Sequence, residues 1–247
     1  MATSPGRRDE KDLIDRTAIP QACAACGVRS LTVCAPLEDA ALAAVDAIAS
    51  RHTFEAGQNI FDEGEPSQHL FNVTKGTIKI YKLLADGRRQ VTGFLFAGDF
   101  LGLASDSAYA YSAETVTETK VCRFRRGQLD ELLQRYPQME RRLLVIAGHE
   151  LAEAQEQMLL LGRKTAKERI ASFLLVLSRR AKTAGRSEDP VYVPMSRTDI
   201  ADYLGLTTET VSRTFTKLKT EGLIQLKPGN LVALSDREAL AEIAETA

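Results

Sequence analysis

The sequence predicts an α+β chain in which a small β-barrel or sandwich is followed by a long helix and a compact helical module ending in a hairpin. Three stretches carry that prediction. Residues 54–124 are short β-type runs punctuated by glycine, residues 138–164 hold helical period without a proline, and residues 196–233 read helix, tight turn, helix, hairpin. With 247 residues and 44% apolar side chains the chain can bury a real core, and its length suits about one and a half to two domains. The expected divisions are 1–36 (a cysteine segment), 37–136 (the barrel), 137–164 (the long helix) and 165–247 (the helical module).

Residues 1–18 are polar and read as a mobile lead-in. They lack the apolar core of a signal peptide, and no apolar run is long enough to span a bilayer, so a cytoplasmic protein with no membrane partner is expected. In a reducing cytosol the four cysteines, three of them within residues 23–34, need an explanation other than disulfides. Residues 38–50 place Leu42, Val45 and Ile48 at helical spacing. In the barrel region a strand pair is expected to turn near Lys75-Gly76, and Asp86-Gly87 signals a second hairpin. Five to eight strands at this spacing suit a small barrel.

On the long helix Leu143, Ala147, Glu150, Ala154, Gln157 and Leu161 fall at alternating four and three, while Leu144, Leu151 and Met158 recur at sevens. Either stripe can be a two-stranded seam or the face that lies on the chain's own barrel. The unusual length favours a homodimer seam made by Leu143, Ala147, Glu150, Leu151, Ala154, Met158 and Leu161.

Charge is uneven although the net is only −1. Residues 1–162 carry 18 basic and 22 acidic side chains, residues 163–227 carry 13 and 7, and residues 228–247 carry 1 and 4. The basic block suits a polyanion partner, though many solvated helices are basic. Within it, Ser196 is placed to cap a helix with Asp199 in its first turn, and Ile200, Ala201 and Leu204 form an inner face ended by Gly205. Thr207 or Thr208 caps a second helix whose inner residues are Val211, Phe215 and Leu218. This is the pattern of a helix-turn-helix, whose second helix fits the major groove of double-stranded DNA. Thr208, Glu209, Ser212 and Arg213 then face outward. Arginine suits guanine, glutamate suits cytosine N4, and serine reaches several base edges. Thr208, Lys217, Lys219 and Lys227 suit the phosphate backbone. A Pro228-Gly229-Asn230 turn between two apolar runs makes the module winged.

On these residues the stretch from about residue 54 to 235 resembles the Crp/Fnr superfamily of bacterial transcription regulators. That resemblance implies a cyclic-nucleotide-binding-type jelly-roll barrel, a dimerisation helix and a C-terminal winged helix-turn-helix. It also implies contacts to RNA polymerase from surface loops. The run Glu209 to Arg213, Glu-Thr-Val-Ser-Arg, is similar to that of the Fnr/FixK branch. It implies a palindrome of the TTGAT-N4-ATCAA type, with Arg213 on guanine, Glu209 on the facing cytosine and Ser212 separating this site from the Crp site.

The signal is read from the barrel and the cysteines. Where cyclic-nucleotide binders of the superfamily carry an Arg-Ser pair, this chain has Tyr111-Ser112, and residues 99–119 contain no Lys or Arg. A cyclic phosphate there would meet Asp99, Asp106 and Glu114 without a counter-charge, so no cyclic nucleotide is expected. Cys23, Cys26, Cys34 and Cys122 are four thiols, a number that suits a [4Fe–4S] cluster or a structural zinc. A C-x2-C pair alone also suits a redox dithiol, and Cys122 alone suits a small buried hydrophobe. Three cysteines before the barrel and one within it resemble the oxygen sensors of the Fnr branch, with the C-x2-C-x7-C spacing of FnrN/FnrL/Anr-like members. The resemblance implies a [4Fe–4S] cluster on those four residues that favours the dimer and is destroyed by oxygen. The alternative is a cluster-free FixK-type regulator with zinc or redox-active cysteines. The enteric Fnr pattern is acidic at the position of Ala154, which implies easier pairing here. No Ser/His/Asp set, GxGxxG or Walker loop is present, and His52, His69 and His149 are scattered, so an enzyme is not expected.

Overall fold

A computed structural model describes residues 20–103 and 107–245. The lead-in over residues 1–18 and Asp106 lie outside the described residues. A short helix α1 (Gln21–Ala24) opens a turn-rich segment, followed by α2 (Asp39–Ile48), whose Ala41, Leu42 and Val45 are buried. Eight strands follow: β1 (Ala49–Phe54), β2 (Asn59–Phe61), β3 (His69–Lys75), β4 (Thr77–Leu83), β5 (Arg89–Phe96), β6 (Phe100–Leu101), β7 (Ser112–Thr115) and β8 (Thr119–Arg125). They form two antiparallel four-stranded sheets, ordered β1-β8-β3-β6 and β2-β7-β4-β5. Phe71, Val73, Leu101 and Val121 of one sheet pack on Phe61, Ile78, Leu95 and Ala113 of the other. This is the sandwiched barrel that alternating inward side chains specify.

The expected hairpin at Asp86-Gly87 forms, with β4 and β5 paired from Thr77↔Phe96 to Leu83↔Arg89. The expected pairing across Lys75-Gly76 does not. There β3 pairs with β6 and β8, while β4 pairs with β5 and β7. Gly76, at φ +95°, is the corner where the chain leaves one sheet for the other. A Cβ at Gly76 would strike the Glu118 carbonyl oxygen and lie 2.8 Å from Thr119 Cα. Corner and hairpin share the same local glycine signal, and strand partners are chosen by the distant residues of each sheet.

Helix α3 (Arg126–Arg135) leads into α4 (Pro137–Arg163), 27 residues begun by a proline at its first position. The C-terminal module is α5 (Ala166–Thr183), β9 (Val191–Tyr192), α6 (Arg197–Leu204), α7 (Thr208–Thr220), β10 (Gln225–Lys227), β11 (Leu231–Ala233) and α8 (Arg237–Glu245). The wing turns through Gly229 and Asn230, both at positive φ, and gains β9 as a third strand. α8 extends the module beyond the expected hairpin. Its Leu240 and Ala244 close the module's core, and Asp236 Oδ1 accepts from the Ala239 N–H at 2.9 Å ahead of it. No described helix is long and apolar enough to cross a membrane.

Substituting Gly76→Ala forces a side chain into positive φ and into backbone. We expect it to cost about 2–4 kcal/mol, read as a lowered urea midpoint at unchanged slope.

Candidate nucleic-acid interface and thiol cluster

The helix-turn-helix is built by local hydrogen bonds. Ser196 Oγ accepts from the Asp199 N–H at 3.0 Å, and the Asp199 carboxylate accepts back from Ser196 N–H, a reciprocal capping box. Gly205 ends α6 in the left-handed conformation at φ 61°, and Thr207 caps α7 by accepting from the Thr210 N–H at 3.1 Å. Val211, Phe215 and Leu218 are buried, joined by Thr214. Glu209, Ser212 and Arg213 are exposed on α7 with Thr208, Lys217 and Lys219, and Lys227 is exposed on the wing strand β10. Arg213 and Glu209 approach to 3.7 Å, a loose surface pair that contributes little to stability and leaves both available. Ser212 Oγ donates to the Thr208 carbonyl at 2.9 Å, a bond that must open for it to reach a base. Arg197, singled out by no sequence pattern, lies 3.5 Å over the Phe215 ring and fixes α6 on α7.

The cysteine segment packs between the barrel and α4. Cys34 is buried in one apolar cluster with Val33, Leu42, Phe124, Leu129 and Met139, and Cys122 packs against the same cluster. Arg142 of α4 donates to the carbonyls of Leu31 (2.7 Å) and Thr32 (3.3 Å), which clamps this segment to the long helix. Cys23 Sγ lies 3.6 Å from Asp46, itself paired with Arg51. Burial pushes the Cys34 thiol up to about 12 and Cys122 to about 11. Smaller contributions come from the other thiols, so the chain brings all four within electrostatic reach of one another. Among the described residues no three Cys, His, Asp or Glu side chains stand close enough to hold a single metal ion.

The long helix divides its stripes. Leu143 packs on the barrel-side cluster, Leu161 on the core of the C-terminal module, and Gln157 Nε2 donates to the Tyr203 carbonyl at 2.7 Å. Those residues face their own chain. Leu144, Leu151 and Met158 are 68%, 61% and 71% exposed, with Ala147 and Ala154 exposed between them. The open apolar stripe is therefore Leu144, Ala147, Leu151, Ala154 and Met158, one position round from the stripe that begins at Leu143. Glu150 sits at its border, where burial, with Asp99 and Glu153 nearby, pushes its carboxyl up to about 7.

Inside the barrel Tyr111 accepts from the Gly102 N–H at 3.2 Å, Ser112 Oγ accepts from the Glu63 N–H at 2.9 Å, and Phe61 stacks on Tyr109 at 3.6 Å. Asp99 and Glu114 are not without counter-charge, as their own neighbourhood suggests. Arg180 of α5 meets Asp99 at 2.6 Å and Lys79 of β4 meets Glu114 at 2.9 Å. Both cations come from segments far from residues 99–119 in sequence.

Comparison with known proteins agrees with this architecture. Residues 51–136 match the cyclic nucleotide-binding domain family and residues 168–243 the Crp-like helix-turn-helix domain. The chain is 41% identical over 221 residues to the nitrogen fixation regulation protein FixK of Bradyrhizobium diazoefficiens, covering 89% of this chain and 93% of that protein. It is 38% identical over 224 residues to the transcriptional activator protein FnrL of Cereibacter sphaeroides, covering 89% and 90%. The solved structure of FixK2 from Bradyrhizobium japonicum superposes with a TM-score of 0.75 at 38% identity, over 81% of this chain and 99% of that one. The chain belongs to the Crp/Fnr family of transcription regulators, and these relatives are regulators, not enzymes.

A raised carboxyl destabilises the fold as it ionises. The stability present below the ordinary carboxylate range is lost as pH rises through about 7 at Glu150. Glu150→Gln removes that loss. We expect the variant to exceed the parent in stability by about 1–3 kcal/mol at pH 8 and to match it near pH 4, by urea titration at both.

Proposed function

We propose that the protein is an oxygen-responsive, DNA-binding transcription regulator of the cytoplasm that acts as a homodimer on a TTGAT-N4-ATCAA-type palindrome. The observation that carries this reading is the capped α6–α7 pair, with Glu209, Ser212 and Arg213 exposed at the leading end of α7. In the family Arg213 takes guanine O6 and N7, Glu209 the cytosine N4 amine, and Ser212 a neighbouring edge. Thr208, Lys217 and Lys219 lie along the same helix for phosphates. The exposed stripe of α4 is the seam that sets two such helices one duplex turn apart. RNA polymerase is the further partner, and the barrel, with Tyr111 in place of an arginine, takes no cyclic nucleotide.

Cys23, Cys26, Cys34 and Cys122 would hold a [4Fe–4S] cluster. When bound, such a cluster supplies an oxygen-labile cross-link between the N-terminal segment and the barrel. Two features support the fit. Cys34 and Cys122 share one apolar cluster, and Cys23 and Cys26 add to the electrostatics of both thiols. The chain's own residues carry the consequence outward, because Arg142 grips the carbonyls of Leu31 and Thr32 and so ties the order of that segment to the position of α4. A second reading, a cluster-free FixK-type regulator, is favoured by the likeness to FixK and by burial that pushes the thiols of Cys34 and the half-buried Cys122 up to about 12 and about 11.

Iron and acid-labile sulfide assays on protein purified without air separate the two. About four of each per chain, with a visible spectrum that changes in air, is expected; a colourless protein that holds one zinc after attempted reconstitution overturns the cluster. Arg213→Ala tests base reading independently. It should weaken binding to the palindrome by about 1–3 kcal/mol per half-site and relax discrimination at the guanine, measured by fluorescence anisotropy.

A further inference from the structure

The barrel reaches across and grips the helix-turn-helix through a buried ion network. Lys79, on β4, is 8% exposed and donates to two carboxylates at 2.9 Å each, Glu114 on the neighbouring β7 and Asp199 on α6. Arg89, on β5, meets Asp199 at 3.0 Å and Asp202, one turn along α6, at 2.9 Å. Gln90 Nε2 donates to the Asp202 carbonyl at 2.6 Å. Beside the network Phe94 of β5, Phe173 of α5 and Tyr203 of α6 form an aromatic trio with centroids 5.1 to 6.3 Å apart. Asp199 is the pivot. Its Oδ1 accepts from Lys79 and Arg89, and its Oδ2 accepts from Ser196 Oγ at 2.6 Å, so one carboxylate both caps α6 and fastens it to the barrel. Burial opposes the charge on Asp199, yet the bonds from Ser196 and Lys79 hold it below the usual carboxylate range.

The network counts two cations against three carboxylates, and the remaining negative charge faces the positive end of α6, where it is favoured. An arrangement this desolvated is worth little as net stability, because removing charges from water costs about what their attraction returns. What it supplies is direction. Four donor–acceptor bonds from two adjacent strands fix the roll and tilt of α6, and α7 is locked to α6 through Gly205 and the Arg197–Phe215 stack. Closing the latch leaves Glu209, Ser212 and Arg213 in solvent on the far side, so the latched form is competent to meet DNA.

We infer that Lys79 and Arg89 are positioning residues for DNA reading: through Asp199 and Asp202 they set the pose of each recognition helix, and hence the half-site spacing that the dimer accepts. The inference rests on the DNA-reading proposal above. Without the latch each head hangs from its α4–α5 junction, where Arg169 still ties the Leu161 and Leu204 carbonyls, so binding persists with less geometric demand.

The test is fluorescence anisotropy with full-length, anaerobically purified protein on three duplexes: the palindrome, the palindrome with one base pair inserted between half-sites, and a scrambled sequence. Lys79→Met, Arg89→Met, Asp202→Asn and Lys79→Arg are compared with the parent. Lys79→Met leaves the buried Asp199 and the half-buried Glu114 facing each other, so Asp202→Asn and Arg89→Met, at partly exposed positions, keep the test open if that variant does not fold. We expect the three latch-breaking variants to lose about tenfold in affinity for the palindrome and to lose much less on the spaced duplex, so that spacing discrimination shrinks by threefold or more. Lys79→Arg should retain the parent's discrimination, which a general loss of stability would not predict. Unchanged discrimination in folded Arg89→Met and Asp202→Asn overturns the inference, as does tighter binding on latch loss, which would make the contact autoinhibitory. A parent that does not separate the palindrome from the scrambled duplex overturns the DNA-reading proposal and the positioning role with it.

Discussion

The division of α4 into a buried side and an open apolar side constrains everything around it. At 1.5 Å per residue its 27 residues run about 40 Å, and one end rests on the barrel and the other on the C-terminal module. Its inward residues join two separate apolar clusters, Leu143 and Ile146 at one end and Leu160 and Leu161 at the other. A single chain cannot cover the remaining stripe. Three large apolar side chains left in water along one line cost roughly 1.5–3 kcal/mol each relative to burial, and a second α4 is the surface whose shape and period match them. The helix thus makes the relation between barrel and DNA-reading module depend on what happens along its open face.

Electrostatics divides the basic block of residues 163–227 into two populations. Arg169 binds four backbone carbonyls, Arg180 is consumed by Asp99 and the Phe94 carbonyl, and Lys164 donates to Ser172 and the Ala244 carbonyl. Lys167 pairs with Glu221 and Arg197 lies on Phe215. Those cations hold elements together and are spent before any polyanion arrives. Arg163, Arg179, Lys182 and Arg186 are exposed on α4, α5 and the loop that follows, and Arg213, Lys217, Lys219 and Lys227 are exposed together on α7 and the wing. A local field of that kind steers a duplex to one face of a chain whose overall charge is near zero.

The contrast between what the sequence made legible and what it did not follows the range of the interactions. Ser196, Gly205 and Thr207 are readable because each acts on residues within one turn of itself, and the same holds for the Asp86-Gly87 hairpin. The corner at Gly76 is not readable, since its glycine signals a reversal but not whether the next strand stays in the sheet. On α4 the two stripes differ by one residue, a rotation of about 100°, and only the position of the barrel decides which of Leu143 and Leu144 is covered. The counter-charges of Asp99 and Glu114 come from Arg180 and Lys79, outside any window read for a phosphate site. α8 was legible in principle, since Asp236 precedes Leu240, Ile243 and Ala244 at helical spacing.

Coupling between the thiol segment and DNA must pass through elements that both ends bias. The segment touches α4 through Arg142 and the shared cluster around Cys34, while α6, to which the recognition helix is locked, is tied to α4 through Arg169 and to the barrel through Asp199. To move a two-state equilibrium from 1:99 to 99:1 requires about 5.5 kcal/mol of differential stabilisation. Two hydrogen bonds from the charged Arg142, at about 1.5–3 kcal/mol each, reach that only at the very top of their range. The remainder has to come from pairing along the open face of α4, where each protomer contributes its stripe once and gains from its partner's. In the proposed switch a modest change at the thiols would become a large change at DNA by acting on an association that gathers two recognition helices onto one site.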